Sequence, residues 1–117
     1  MQAAELERLI EQYPDCSLVA YADIGTGITL VSAGQSDIPR EALDELCAEA
    51  ALTLGKSGVP SMGALPCPVA IKALEKTVFI YVRATEEPDD ALLCMCQPDI
   101  DLDGFLTAAR ATIDGDK

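Results

Sequence analysis

Asp99-Ile-Asp-Leu-Asp-Gly104 is the stretch whose residue types and spacing come nearest to a known chemistry. Carboxylates at alternate positions followed by glycine match the opening of a calcium loop, where the acids converge on a hard cation and glycine permits a sharp turn. The twelfth position of such a loop takes a bidentate glutamate; here it is Arg110. Leu102, Phe105 and Leu106 also fit an amphipathic helix starting inside the motif, and one segment cannot be both loop and helix. The expectation is that Asp99 or Asp101 caps a helix, each nearby acid contributing about 0.3–1 kcal/mol, rather than that Asp99, Asp101 and Asp103 hold a cation.

The other reactive residues are less organised. Cys94-Met-Cys96 puts two sulfurs on one face of a strand, but the remaining cysteines, Cys16, Cys47 and Cys67, are scattered, and zinc sites use C-x2-C pairs. Buried core thiols are expected, with Cys67, between prolines, as the exposed one. Gly25-Thr26-Gly27 lacks the lysine and the following helix of a phosphate-binding loop, and reads as a hairpin turn. Glu86-Glu87 and Asp89-Asp90 sit on a turn where carboxylates are normally solvated. Tyr21 and Tyr81 fall within strands as half-buried packing residues. The chain contains no histidine, which removes the usual general base and the commonest transition-metal ligand. No nucleophile has a plausible base, so a non-enzymatic protein without metal or cofactor is expected.

Composition narrows the partners. The 117 residues suit one domain spanning 1–117, with 50% apolar and 24% charged residues. A net charge of −12 and the lack of a Lys/Arg cluster argue against nucleic acid and anionic membranes. No apolar run approaches the ~20 residues of a membrane span, and the acidic N-terminal segment is unlike a signal peptide. Unpaired cysteines fit a reducing compartment, so a cytoplasmic protein is expected.

The elements that must position these residues follow from periodicity. Leu6, Leu9, Ile10 and Tyr13 mark a helix from Ala3 to Tyr13, stopped by Pro14. Ser17–Asp23 and Ile28–Ala33 form a hairpin around the glycine turn. Ile38–Gly55 is a helix with Ser36 or Asp37 as cap, Pro39 at its first helical position and Gly55 as its stop. Lys56–Pro68, with its prolines, is an apolar loop. Val69–Glu75 and Thr77–Ala84 make a second hairpin around Glu75-Lys76. Thr85–Asp90 is an acidic turn, Ala91–Gln97 a strand apolar on both faces, and Leu102, Phe105, Leu106, Ala109 and Ile113 the inner stripe of a last helix. The order α-β-β-α-β-β-β-α, with strands apolar on both sides, requires helices on both faces of a five-stranded antiparallel sheet: a three-layer α/β/α sandwich of the α+β kind.

The second helix is two-faced. Leu43, Leu46, Cys47, Ala50 and Leu54 form its core stripe, while Glu41, Asp44, Glu45, Ala48, Glu49 and Leu52 share the other side. Leu52 lies about 180° from Leu43, and a helix that only covered its own core would not need a leucine there. A partner is expected against that side.

The YPDCS that ends the first helix, LVAYADIGTGITLVSAG, the long helix from Pro39 and the VAIKALEKTVFIYVRA hairpin together resemble the roadblock family of dynein light chains and its bacterial and archaeal relatives. The likeness runs from about Glu5 to Ile113. It implies a profilin-like fold with strand order 2-1-5-4-3. It also implies a homodimer through the second helix and third strand, here the outer side of Glu41–Leu52, with Arg40 beside it, and the edge strand Val69–Leu74 with Val69, Ile71 and Ala73. Family members dock dynein intermediate chains, build lysosomal scaffolds or promote the activity of small Ras-like GTPases, as does the roadblock-type regulator that sets polarity in gliding bacteria. The resemblance therefore implies a homodimeric adaptor or regulator of such a GTPase. The alternatives are a scaffold subunit that touches no GTPase, or a small-ligand or metal sensor of profilin- or PAS-like build, which would need polar residues between sheet and helix that the chain scarcely offers.

Overall fold

The computed structural model describes residues 2–34, 39–54, 69–87 and 89–115. In chain order these form α1 (Ala3–Gln12), β1 (Cys16–Asp23), β2 (Ile28–Gly34), α2 (Arg40–Leu54), β3 (Val69–Ala73), β4 (Val78–Arg83), β5 (Asp90–Cys96) and α3 (Leu102–Asp114). The five strands make one antiparallel sheet in the order β2-β1-β5-β4-β3. The expected caps Ser36, Asp37 and Gly55, and the Lys56–Pro68 loop with Cys67, lie outside the described residues.

The sheet separates two cores. On one side Leu6 and Leu9 of α1 and Phe105, Ala109 and Ile113 of α3 close over Val19, Ile80, Val82 and Leu92. Tyr13 meets Phe105 edge-on, with ring centroids 5.5 Å apart and planes at 90°, a favoured aromatic geometry that joins the two helices. On the other side Leu43, Cys47, Ala50, Ala51 and Leu54 of α2 close over Leu18, Ala20, Tyr81 and Leu93. The alternation of side chains along each strand sorts residues between these cores, and β4 and β5, filled on both faces, lie inside the sheet as their apolar runs require.

Local chemistry sets the ends of the elements. Asp101 caps α3: its carboxylate accepts from the Gly104 amide at 3.4 Å while its carbonyl accepts the first helical bond from Phe105 at 2.9 Å. The helix thus starts inside the 99–104 motif, where a calcium loop would have to stay open. The β1–β2 turn is held by the Asp23 carboxylate, which accepts from the amides of Gly25 at 2.9 Å and Thr26 at 3.2 Å, and Gly27 turns the chain at φ +78. Leu74 donates to the Thr77 carbonyl at 2.8 Å, closing the second hairpin around Glu75-Lys76.

Several details differ from expectation. Tyr81 is not half-buried but fully buried beneath α2, because β4 is an inner strand with both faces covered. Asp90 belongs to β5 instead of the preceding turn: it pairs with Asp23 and accepts from the Tyr21 hydroxyl at 2.8 Å. The strand β3 stops at Ala73, short of Glu75. Pro39 precedes α2, its carbonyl accepting from Ala42 and Leu43, so it stands one place before the first helical residue.

Two substitutions test this framework. Gly34 ends β2 at φ +102, and a Cβ there would lie 2.3 Å from the Ser17 carbonyl oxygen. Gly34→Ala should lower unfolding free energy by about 2 kcal/mol or more in urea titrations, and an unchanged midpoint would contradict the geometry. Asp101→Ala should lower it by about 0.5–2 kcal/mol, and Asp101→Ser should recover most of that loss. Millimolar calcium should shift the melting temperature of neither the parent nor Asp101→Ala; a calcium-dependent rise confined to the parent would restore the cation reading.

Candidate protein-docking surface

The cover of the sheet is uneven. The helix α1 packs on β1 and β2, α3 packs on β4 and β5, and on that side neither reaches β3; on the other side α2 crosses all five strands. Only Val69 and Ala70 of β3 are half-buried, and the rest of the strand is exposed. Pairing assigns the faces. Val69, Ile71 and Ala73 stand opposite Val82, Ile80 and Val78, on the α1/α3 side, whereas Ala70 and Lys72 stand opposite Tyr81 and Phe79, on the α2 side. Ile71 on one side is 43% exposed, and Leu74, just past the strand, is 50% exposed. The strand is thus bare on parts of both faces and, lying at the end of the sheet, offers a backbone edge that no described residue pairs.

The helix α2 runs beside it. Arg40, Glu41, Asp44, Glu45 and Ala48 are exposed, Glu49 is half-exposed, and Leu52 is 76% exposed, the highest value among the large apolar side chains described. Its acids are not evenly spread. Glu41, Asp44 and Glu45 occupy the first half, Glu41 in the first turn where the helix dipole favours it, whereas the outer side beyond Glu49 carries only Leu52 and Thr53. Lys72 of β3 makes an ion pair with Glu49, tying helix and edge strand into one surface.

The structure therefore brings the α2 set into a continuous face but puts Ile71 and Ala73 round the edge, on the far side of the sheet. The β3 residues on the α2 side are Ala70 and Lys72, which sequence reasoning did not single out; counting by twos would have found them once β3 was known to be an edge. It also missed the opposite edge, where Ile28 and Leu30 of β2 are 47% and 54% exposed. The ITLVSA run, apolar at alternate and adjacent positions, carried that signal.

Other groups lie away from this face. The Tyr81 hydroxyl is buried without a hydrogen-bond partner under α2, and burial together with the nearby Glu49 charge pushes its pKa up to about 12, so it stays a neutral phenol. Arg83 is also buried. An open cleft of about 950 Å³ lies between α1 and α3, lined by Glu5, Arg8, Tyr13, Asp103 and Thr107 among others, and not between sheet and α2, where a sensor of profilin-like build would hold its ligand. Among the described residues no three His, Cys, Asp or Glu side chains are grouped to hold a metal ion, and no helix is long and apolar enough to cross a membrane.

No family model matches the chain, and no curated protein matches it in sequence. Solved structures do match. A roadblock/LC7 domain from Streptomyces avermitilis superposes with a TM-score of 0.76 at 14% identity, covering 97% of this chain and 92% of that one. MglB of Myxococcus xanthus gives 0.75 at 16% identity over 96% and 88% of the two chains, and MglC of the same organism gives 0.63 at 16% over 96% and 92%. At these identities the likeness concerns architecture, and it agrees with the strand order that the sequence resemblance implied. The chain has the fold of the roadblock domains.

Proposed function

We propose that this chain is a non-enzymatic homodimeric adaptor, acting in the cytoplasm, that docks or regulates a small Ras-like GTPase. The observation that carries the reading is the continuous face made by the apolar end of α2 and the uncovered edge of β3. A second copy meeting β3 edge to edge would pair its free backbone and cover Ile71 and Leu74, and the same two-fold axis would bring Leu52 against its mate. The charge gradient along α2 fits that arrangement. Crossing near Ala48 and Leu52 keeps Glu41, Asp44 and Glu45 of the two helices apart, and like charges at the axis would otherwise oppose association. Those acids then remain available to a partner with a basic surface.

The GTPase part of the reading is supported by the roadblock fold and by two further neighbours at 16% identity. One is a gliding protein, MglB, from Thermus thermophilus (TM-score 0.61), and the other is an MglB in a tetrameric arrangement (TM-score 0.65). Oligomeric assembly by MglB and the acidic face of α2 point the same way: a protein that meets its own copy and then a basic partner.

Light scattering should give about 25 kDa, twice the 12.4 kDa protomer, at micromolar concentration. Leu52→Asp should give the protomer mass, because burying an unpaired carboxylate costs on the order of a few kcal/mol; a monomeric parent would contradict the dimer. Replacing Glu41, Asp44 and Glu45 together by Lys should leave the dimer mass unchanged but weaken binding to a Ras-like GTPase from the same genome by about tenfold or more. Binding of the parent should also fall as salt rises. A parent dimer that fails to bind that GTPase in either nucleotide state would leave the scaffold role in its place.

A further inference from the structure

Three cysteines drawn from two strands meet on the α1/α3 side of the sheet. Cys96 is the last residue of β5 and Cys16, the first of β1, is its cross-strand partner; Cys94 stands two residues back on the same face. Regular alternation would have put Cys16 on the face of Leu18, in the other core. A register shift between Cys16 and Leu18 turns it over, so that it joins Cys94 and Cys96. All three are at most 3% exposed.

The trio is chemically asymmetric. The Cys16 thiol donates to the Leu18 carbonyl at 3.3 Å, which leaves its sulfur lone pairs free to accept. Hydrogen bonds from Cys94 and then from Cys96 favour negative charge on Cys16 and lower its pKa, against the opposing effect of burial. Their bonds to Cys16, together with burial, push Cys94 and Cys96 above the ordinary thiol range. Once Cys16 gives up the proton it donates to Leu18, its sulfur is the one whose charge two neighbouring thiols can stabilise, the division of roles that thiol–disulfide chemistry uses. The cluster lies one residue in from solvent: Asp15 and Gln97, which flank it, are exposed and are joined by the Gln97 amide donating to the Asp15 carbonyl at 2.9 Å.

We propose that Cys16 is a redox-responsive thiol that closes a disulfide with Cys96 across β1 and β5 when it meets a hydroperoxide. The Cys16 thiolate attacks one peroxide oxygen, the O–O bond breaks, and Cys16 becomes a sulfenic acid while the leaving oxygen takes up a proton as an alcohol or water. The Cys96 sulfur then attacks the Cys16 sulfur, the S–O bond breaks, and water leaves with the Cys96 proton. Two thiols are oxidised by two electrons in total, and the peroxide is reduced by two. Opposed residues of an antiparallel pair lie about 4.5–5.5 Å apart at Cβ and a disulfide spans about 3.5–4.5 Å, so the bond needs the two strand ends to draw together slightly at the register shift. The bond would clamp the end of the sheet from which α1 and α3 depart, and it leaves α2 and β3 untouched, so it is read separately from dimer formation.

The test treats reduced full-length protein with hydrogen peroxide, then denatures it and alkylates with iodoacetamide. Of the five cysteines, two should escape alkylation, and proteolysis should yield a linked pair of peptides containing Cys16 and Cys96 that dithiothreitol separates. Cys67→Ser should leave this link intact, and Cys16→Ser should abolish it. All five cysteines alkylated after peroxide, or a disulfide confined to Cys47 or Cys67, would overturn the proposal. That outcome is read on the parent chain, so it does not depend on any variant folding.

Discussion

Among the described residues three helices have to cover two faces of five strands, and on one side they run out before β3. A helix ~10 Å wide matches only about two strands spaced roughly 4.8 Å apart, so two helices side by side cover four strands of the five. With α1 spent on β1 and β2 and α3 on β4 and β5, the last strand has no helix on that side. On the other side a lone α2 crosses the whole sheet and buries only its inner stripe. A strand left bare on a face and unpaired along an edge is a standing invitation to association, which proteins normally blunt with charge, proline or shortness. Here β3 is short, yet Ile71 and Leu74 beside it are not charged.

The design of α2 follows from that shortfall. Its inner stripe of Leu43, Cys47, Ala50 and Leu54 closes the core, its first half carries acids with Glu41 in the turn that suits the dipole, and its second half presents Leu52 to solvent. The Lys72–Glu49 ion pair joins helix to strand, and because both side chains are partly solvated its value lies in alignment more than in stability. Helix and edge strand thus act as one surface with an apolar end and an acidic end. An apolar end suits a copy of itself, and an acidic end suits a different, basic partner.

Much of this was legible in the residues. The 3.6-residue stripes of Leu6, Leu9 and Phe105, Ala109, Ile113 located α1 and α3, the glycine turn located the first hairpin, and the two-sided apolarity of ALLCMC placed β5 within the sheet. The two faces of α2 could be counted on a helical wheel. What could not be read were contacts between distant strands. Tyr81 is fully buried because β4 lies between β3 and β5, and nothing local to it says so. Cys16 reaches Cys94 and Cys96 only because β1 lies beside β5 and a register shift turns one residue over, and periodicity analysis assumes no such shift. The side-chain parity of β3 depended likewise on which neighbour it paired with, so Lys72 went unnoticed beside α2.

The most direct test of the central claim is hydrogen–deuterium exchange at the amides of Val69–Ala73, followed as the protein is diluted from high micromolar to nanomolar concentration. An edge paired with a second copy predicts protection of these amides, and of the 48–54 segment of α2, that is present at high concentration and disappears on dilution while β1 and β5 stay protected throughout. Amides of β3 that exchange rapidly and equally at every concentration would contradict it.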